Sequence, residues 1–400
     1  MLKIYYFLKK GCGLLNFFFF GALIILFFSN THGQYCQIYE MRISTNPSIT
    51  IRDILKTGDI TWYFNSKCTT GIFANGDYWV LGPVTIDSIT PHYDGSNNGW
   101  EINPVVSGGH GFQSGCYGAG FDSTRVPKLP FYADPKIYSP DSIISIVKTT
   151  VSTQGRQCIK CAEVITIVNK VPPGNGSLVF RPPYVGENKP YYFIKSIRRD
   201  LLPNNFMPVA NMPSLEYIAK TFSKLRMDHK PGRMGVSLRP IQSNMSDYQP
   251  ENTPAQNDAV LRFMMNDSFE KKLPALINFL QFGIDKVHTM LDGQTWPAGG
   301  GHQPGHLVVL AFTAVLLDME EIKSILKNAT FFHGSKYFSV GKHGLTLWGI
   351  PSTEKGYWNY FMNTKGDRSQ RDPYRYIDGG KPSSEYQFIT AQSHKGEILA

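Results

Sequence analysis

Residues 274–291 read PALINFLQFGIDKVHTML, and this stretch decides how the second half of the chain folds. Its apolar residues recur every three or four positions, as they do along one side of an α-helix. They are Leu276, Ile277, Leu280, Ile284, Val287 and Leu291. Pro274 would remove a backbone hydrogen bond inside a helix, so we predict that it lies in the first turn. Asp285 lies four residues after Gln281, on the polar side, and is predicted to be solvated.

Further helices are predicted on either side of this segment. Ser214 caps a helix over 215–225, whose apolar residues also have helical spacing. Residues 307–317 are nearly all apolar but too short to span a membrane, so we predict a helix that is buried on all sides. The pattern over 384–400 is also helical. Buried helices joined by loops that return to one end are typical of an α/α toroid, and we expect this domain, 214–400, to be incomplete at its C-terminus.

The first half of the chain has a different pattern. Between residues 34 and 185, short runs rich in Thr, Ile, Val and Tyr alternate with turn signals of Gly, Asn and Pro. The runs predicted as strands are 60–64, 78–81, 84–89, 143–151 and 162–168. Short strands without helical patterns between them indicate an antiparallel β-sandwich. The Pro- and Asn-rich stretch 186–213 is predicted to link the two domains, which gives a β + α multidomain chain.

Residues 1–33 have the pattern of a secretory signal peptide. Lys3, Lys9 and Lys10 precede a largely apolar run over 14–28, and a short polar stretch follows. This run is shorter than the roughly 20 residues that a membrane-spanning helix needs, although an uncleaved anchor is the alternative. We therefore expect a secreted or periplasmic protein with no stable membrane insertion after cleavage.

The charge of the chain favours an acidic partner. The formal net charge is +9, and removing the three lysines of the signal peptide leaves +6, spread along the sequence. A diffuse positive field attracts anionic glycans, nucleic acid and lipid headgroups alike. Because export makes nucleic acid the weakest of these, we expect an acidic polysaccharide as the partner and no nucleic acid. The oligomeric state stays open.

The cysteines are too few to form the framework of the fold. Cys158 and Cys161 are the nearest pair for a disulfide, and a redox role is the alternative. No second cysteine pair completes a zinc site. His302 and His306 are four apart, as metal ligands on a helix are, but Pro304 argues against a helix between them. We expect neither a metal nor a cofactor.

The most unusual stretch is 292–306, DGQTWPAGGGHQPGH, which lies between two predicted helices. Three consecutive glycines allow backbone conformations that other residues cannot adopt. Trp296 offers a flat face on which a sugar ring can stack, and His302 and His306 titrate near neutrality. Together with Gln303 they could form one wall of a cleft. The alternative is a long interhelical loop with histidines that are only hydrogen bonded.

A second polar loop follows the helix predicted over 215–225. Its candidate site residues are Asp228, His229, Arg239, Asn244 and Tyr248. Such groups can bind a carboxylate and transfer a proton. The alternative is a solvated loop with structural hydrogen bonds. In the first domain, Trp62, Trp79 and Trp100 could form a glycan platform, although Trp79 lies in an apolar run that favours the core.

These motifs carry two resemblances. The patterns over 75–84, 120–123 and 181–184, with the His302 loop, resemble a group of large exported bacterial proteins of no assigned activity. Residues 296–302, WPAGGGH, and 310–317, LAFTAVLL, resemble the catalytic segment of family 9 cellulases. The second resemblance implies a β-sandwich ahead of an α/α barrel.

This chain departs from the cellulases at the residues that matter most. Their catalytic aspartates lie in this loop, where the present chain has Pro297, Gly300 or their neighbours. Inverting hydrolysis needs a carboxylate that activates water, so the cellulase mechanism is not supported. The architecture is also similar to that of alginate and heparin lyases, which use Tyr, His, Asn and Arg, with the domains in the reverse order.

The leading hypothesis from sequence is therefore a polysaccharide lyase that acts by β-elimination on a uronic-acid-containing polymer. The catalytic candidates are His302, Tyr248, Asn244, Arg239 and His229. The substrate-binding candidates are Trp296, His306, Asp228 and Gln303. His302 is predicted to be the base or to neutralise the carboxylate, with Tyr248 as its partner in proton transfer. The alternatives are a glycoside hydrolase of the α/α-barrel type and a non-enzymatic glycan-binding or cell-surface protein.

Overall fold

The computed structural model describes residues 49–114, 120–152, 158–227, 241–246, 249–296 and 305–331, with short pieces at 338–340, 346–348 and 396. The predicted signal peptide lies outside these residues, and so does the predicted helix over 384–400 apart from residue 396. Strands come first and helices dominate the later part, so the predicted β + α class is confirmed.

Eight strands form one hydrogen-bonded sheet. They are β1 (Thr50–Thr57), β2 (Ile60–Ile72), β3 (Tyr78–Leu81), β4 (Val84–Thr90), β5 (Trp100–Ile102), β6 (Phe131–Ala133), β7 (Ile143–Val151) and β8 (Ile159–Val168). The strand order is β5-β7-β8-β3-β2-β4-β6, and β1 pairs with β2. Each predicted strand is present, but β3 runs parallel to β8, so the sheet is mixed rather than purely antiparallel. A separate hairpin pairs β9 (Phe338–Val340) with β10 (Thr346–Trp348).

The long strand β2 makes the sheet curl. One of its edges pairs with β1, while the other pairs first with β4 around Trp62 and then with β3 around Gly71. The two halves of the sheet therefore meet at β2 and enclose an apolar core. This core includes Leu55, Trp62, Ile86, Trp100, Ile146 and Ile165.

Strands β7 and β8 are buried on both faces, because the later part of the chain covers the outer face of the sheet. Strands in that position are apolar almost throughout. Trp62, Trp79 and Trp100 are all at most 1% exposed. The core position predicted for Trp79 is confirmed, and the glycan platform is wrong because none of the three rings has an open face.

Six helices are described. They are α1 (Pro135–Tyr138), α2 (Leu215–Thr221), α3 (Gln249–Phe263), α4 (Phe269–Leu291), α5 (His306–Leu316) and α6 (Glu320–Lys327). The predicted cap is confirmed, since Ser214 Oγ accepts a hydrogen bond of 3.0 Å from Tyr217 N. Helix α4 starts earlier than predicted, because Ser268 caps it. Pro274 therefore lies beyond the first turn, and that prediction is wrong.

The helices pack around aromatic side chains. Phe279 of α4 makes edge-to-face contacts with Phe222, Phe263 and Phe312, at ring-centroid distances of 4.8, 5.7 and 5.6 Å. Such pairs stabilise a core beyond the area that they bury. The predicted linker, 186–213, contributes Ile197 and Leu202 to this same core. Within the described part of the chain, no helix combines the length and apolarity needed to cross a membrane.

The predicted disulfide between Cys158 and Cys161 is wrong. Cys158 is disulfide-bonded, whereas Cys161 is a free, buried thiol. The two residues pack against different clusters. Cys161 belongs to the core inside the curled sheet, and Cys158 packs against the cluster on the outer face.

Candidate functional site

Helix α4 is buried along nearly its whole length, yet it carries polar side chains on two faces. On the face toward the chain segment that follows β8, Gln281 Nε2 donates to Arg181 O at 3.1 Å, and His288 Nε2 lies 2.9 Å from Tyr192 Oη. Just past the helix, Asp292 accepts from Val106 N at 2.6 Å. Residues three, four and seven apart share one helix face, so these contacts form one seam.

An arginine between two aspartates lies at the centre of this seam. Arg181 Nε is 2.6 Å from Asp77 and its Nη2 is 2.5 Å from Asp285. Burial alone would lower the pKa of Arg181, but the two carboxylates outweigh it and raise that pKa. Burial raises the pKa of Asp285, and the charge of Arg181 opposes that rise. Asp285 is 5% exposed, so the prediction that it is solvated is wrong.

The seam also holds two basic groups whose pKa values are lowered by burial. Burial, and then the nearby charge of Lys189, lowers the pKa of His288 to about 4. Burial lowers the pKa of Lys189 itself, whose Nζ donates to Pro183 O at 2.7 Å and Val185 O at 3.3 Å. These side chains are committed to holding the chain against α4, which is a structural role.

Another face of α4 borders a line in which cations and aromatic rings alternate. We call this line the cation–aromatic row. Its members are Phe222, Arg226, Phe282, Lys286, Trp296 and His306. The Arg226 guanidinium lies 4.5 Å from the Phe222 ring centroid and 5.3 Å from that of Phe282. Lys286 Nζ lies 5.2 Å from the Phe282 centroid. Buried cations over rings are stabilised by the ring quadrupole.

The far end of the row joins three residues of different elements. Lys286 Nζ lies 4.9 Å from the Trp296 ring centroid and 2.7 Å from His306 Nδ1. The Trp296 and His306 rings are stacked with centroids 4.8 Å apart. A charged lysine ammonium can only donate hydrogen bonds, and Nδ1 of His306 is then the acceptor in this contact.

Arg226 stands out among the buried charges. The residue is 5% exposed, and its Nη2 donates to Thr221 O at 2.8 Å. Its Nε and Nη1 atoms have no hydrogen-bond partner among the described residues. Burial lowers its pKa to about 10. No described carboxylate lies against this cation, so the group raises the local positive potential.

The structure brings some of the sequence-predicted residues together. Trp296 and His306 are in contact, and both are fully or almost fully buried, so Trp296 has no open face for a sugar. Asn244 Nδ2 donates to Leu225 O at 2.5 Å and is 3.4 Å from Ala162 O. Its amide therefore ties the turn over 241–246 to β8. The remaining candidates lie outside the described residues: Asp228, His229, Arg239, Tyr248, His302 and Gln303.

One described segment just before Tyr248 and another just after His302 both contact helix α3. Ser246, two residues before Tyr248, accepts a hydrogen bond of 3.0 Å from Asn252. Gly305, three residues after His302, has φ +85° and packs on the next residue, Thr253, so closely that a Cβ would lie 2.6 Å from the threonine hydroxyl. Consecutive Cα atoms are about 3.8 Å apart, so the two segments border the same helix turn.

No family model, curated protein or solved structure matches this chain. The case for a function therefore depends on the chemistry of its own residues. Among the residues that the structure describes, no group of three or more His, Cys, Asp or Glu side chains is arranged to hold a metal ion.

Sequence reasoning missed Arg226 and Lys286. The signal for Lys286 was present, because it directly follows Asp285, and two adjacent charges cannot both lie on one narrow polar stripe. Arg226 gave no such signal. It follows a short helix, where a basic residue is usually solvated.

Proposed function

We propose that this protein is an exported polysaccharide lyase that acts by β-elimination on a uronic-acid-containing polymer. One observation carries the proposal: the segments bordering Tyr248 and His302 meet at consecutive residues of α3, close to His306 and the buried cation Lys286. Tyr248 and His302, the two residues with the chemistry for proton transfer, are each within three residues of these segments in sequence.

The chemistry of elimination explains why cations belong there. The proton next to a uronate carboxylate is very weakly acidic until the negative charge that develops on that carboxylate is stabilised. Lys286 and Arg226 supply a fixed positive potential, in a setting where burial strengthens it. His302 or Tyr248 then removes the proton, and an acid protonates the leaving oxygen as the glycosidic C–O bond breaks.

The other candidates take roles that fit their contacts. Arg239 is proposed to bind the carboxylate directly, with His229 as a second proton-transfer group. Asn244 acts as a positioning residue, because its amide already holds the turn against β8. Trp296 supports the site by stacking on His306 rather than on sugar. Asp228 and Gln303 remain proposed substrate-binding residues.

Three of the buried or partly buried carboxylates already have cationic partners, and this favours elimination over hydrolysis. Asp77 and Asp285 are both paired with Arg181, and Glu163 accepts hydrogen bonds from Thr57 at 2.9 Å and Lys224 at 3.2 Å. A hydrolase needs a free carboxylic acid and a free carboxylate on opposite sides of a sugar. None of these three carboxylates is free for such a role.

Two further features belong to the proposal. The disulfide at Cys158 supports an oxidising compartment, hence a secreted or periplasmic location. The curled sheet and the buried helices support the finer architecture that we propose, a β-sandwich followed by an α/α toroid.

Incubation of the protein with alginate, polygalacturonate and glycosaminoglycans tests this function. We expect ultraviolet absorbance from the unsaturated uronate, in step with new reducing ends. Reducing ends without that absorbance would indicate hydrolysis instead. Polymer binding without any new ends would indicate a glycan-binding protein, and either outcome overturns the lyase proposal.

A further inference from the structure

A cavity lies at the opposite end of α4 from the candidate site. Its volume is about 260 Å³, and it is formed where the N-terminal end of α4 meets the segment around Arg199. Lys272 lines this cavity, and Lys286 of the cation–aromatic row follows 14 residues later on the same helix. At about 1.5 Å per residue, the two lysines are roughly 21 Å apart along the axis.

The cavity has a net positive lining. Lys272 is 2% exposed, and one of the three donors of its ammonium group goes to Pro203 O at 3.1 Å. Arg199 is exposed and has no ion-pair partner among the described residues. The carboxylate of Asp267 also lines the cavity, but it is paired with Arg262. The two cations outnumber this carboxylate, whose charge also acts on Lys272, so the lining keeps a net positive charge.

The other walls suit a sugar ring. Phe269 supplies an apolar surface, and Asn204 and Asn266 supply amide groups that can donate to and accept from hydroxyls. Sites for drug-sized ligands usually measure roughly 300–1,000 Å³, so this cavity has room for a single small residue. A carboxylate on a sugar ring matches both the charge and the wall chemistry.

We propose that this cavity binds one uronate residue of an acidic glycan, with Lys272 and Arg199 contacting the carboxylate. The choice of a uronate rests on the function proposed above. The site adds a second point of attachment for the polymer, which raises its effective concentration at the protein without any new chemistry.

Free galacturonate is the right probe, because it has no glycosidic bond and cannot be turned over. Hydrogen–deuterium exchange with galacturonate, and with glucose as the neutral control, locates binding on the chain. We expect protection over residues 199–204 and 266–272 with galacturonate alone. Arg199→Ala and Lys272→Met should weaken the apparent affinity at least about tenfold, because each removes a charged contact.

Lys271→Ala is the matched control, since it removes the same charge from an exposed neighbour that does not line the cavity. It should retain wild-type protection. If Lys272→Met fails to fold, the exposed Arg199 still decides the matter. Absence of protection in the wild type, or equal protection in Arg199→Ala, overturns the site even if the polymer is cleaved. If galacturonate protects these residues but the protein cleaves no acidic polymer, the site is supported and the lyase proposal is contradicted.

Discussion

Removal of the Asp285 carboxylate should destabilise the fold more than removal of any other described aspartate carboxylate. Asp285 accepts hydrogen bonds from Arg181 at 2.5 Å and from Tyr184 N at 3.3 Å, in the seam between α4 and the chain segment that follows β8. Breaking a buried ion pair by deleting one partner costs about 3–5 kcal/mol. Asp77 still contacts Arg181, so we expect Asp285→Ala to lose about 3 kcal/mol, near the lower limit.

Asp285→Asn keeps the volume and one acceptor oxygen, so its loss should be smaller, about 1–2 kcal/mol. Asp87→Asn, an exposed aspartate on β4, is the control and should change stability by less than about 0.5 kcal/mol. Urea unfolding followed by far-ultraviolet circular dichroism gives the three free energies. If Asp285→Ala is as stable as the control, the seam does not hold the two parts together and the reasoning fails.

Three further predictions follow from individual contacts. Burial lowers the pKa of Lys148 to about 7, so between pH 7 and 10 the unfolded chain holds a proton that the folded chain releases. Stability should therefore rise with pH by about 2–4 kcal/mol over that range, and Lys148→Met should abolish the rise in urea titrations. A Cβ at Gly283 would lie 1.8 Å from Thr313 Oγ1, so Gly283→Ala should lower the free energy of unfolding by about 1–3 kcal/mol. Adding Thr313→Ala should recover part of that loss. No loss in Gly283→Ala would mean that α4 and α5 move apart freely. Burial and then the charge of Glu163 raise the pKa of Cys161 to about 11. Iodoacetamide at about pH 8 should therefore label this thiol only after unfolding. Equal labelling of the folded protein, measured by peptide mass spectrometry, would contradict the burial of Cys161.

The sequence predicts the helices and strands better than it predicts which residues pack against them. The run over 143–151 became β7 with the predicted bounds, because β-branched residues fill seven of its nine positions and such residues favour a strand. The parallel pairing of β3 with β8 depends on residues 80 or more positions apart, which no local pattern encodes. Helix periodicity likewise gives a polar face but not its environment.

Asp285 illustrates that limit. Its position on the polar side of α4 is correct, and solvent is the usual neighbour of such a face. Here Arg181, more than 100 residues earlier, occupies that place. Arg226 is the converse case, since a residue just after a short helix is buried by rings from both α2 and α4. Both outcomes depend on contacts that form only after the sheet and the helices pack.

The most direct test of the central claim is the rate of unsaturated product formation by single-residue variants. On the polymer that the wild-type protein cleaves, His302→Ala and Tyr248→Phe should each lower the rate at least about a hundredfold, since each removes a proton-transfer group. His92→Ala, an exposed histidine near the end of β4, should keep the wild-type rate. Unchanged rates in His302→Ala and Tyr248→Phe, or no unsaturated product from any acidic polymer with folded wild-type protein, would contradict the account.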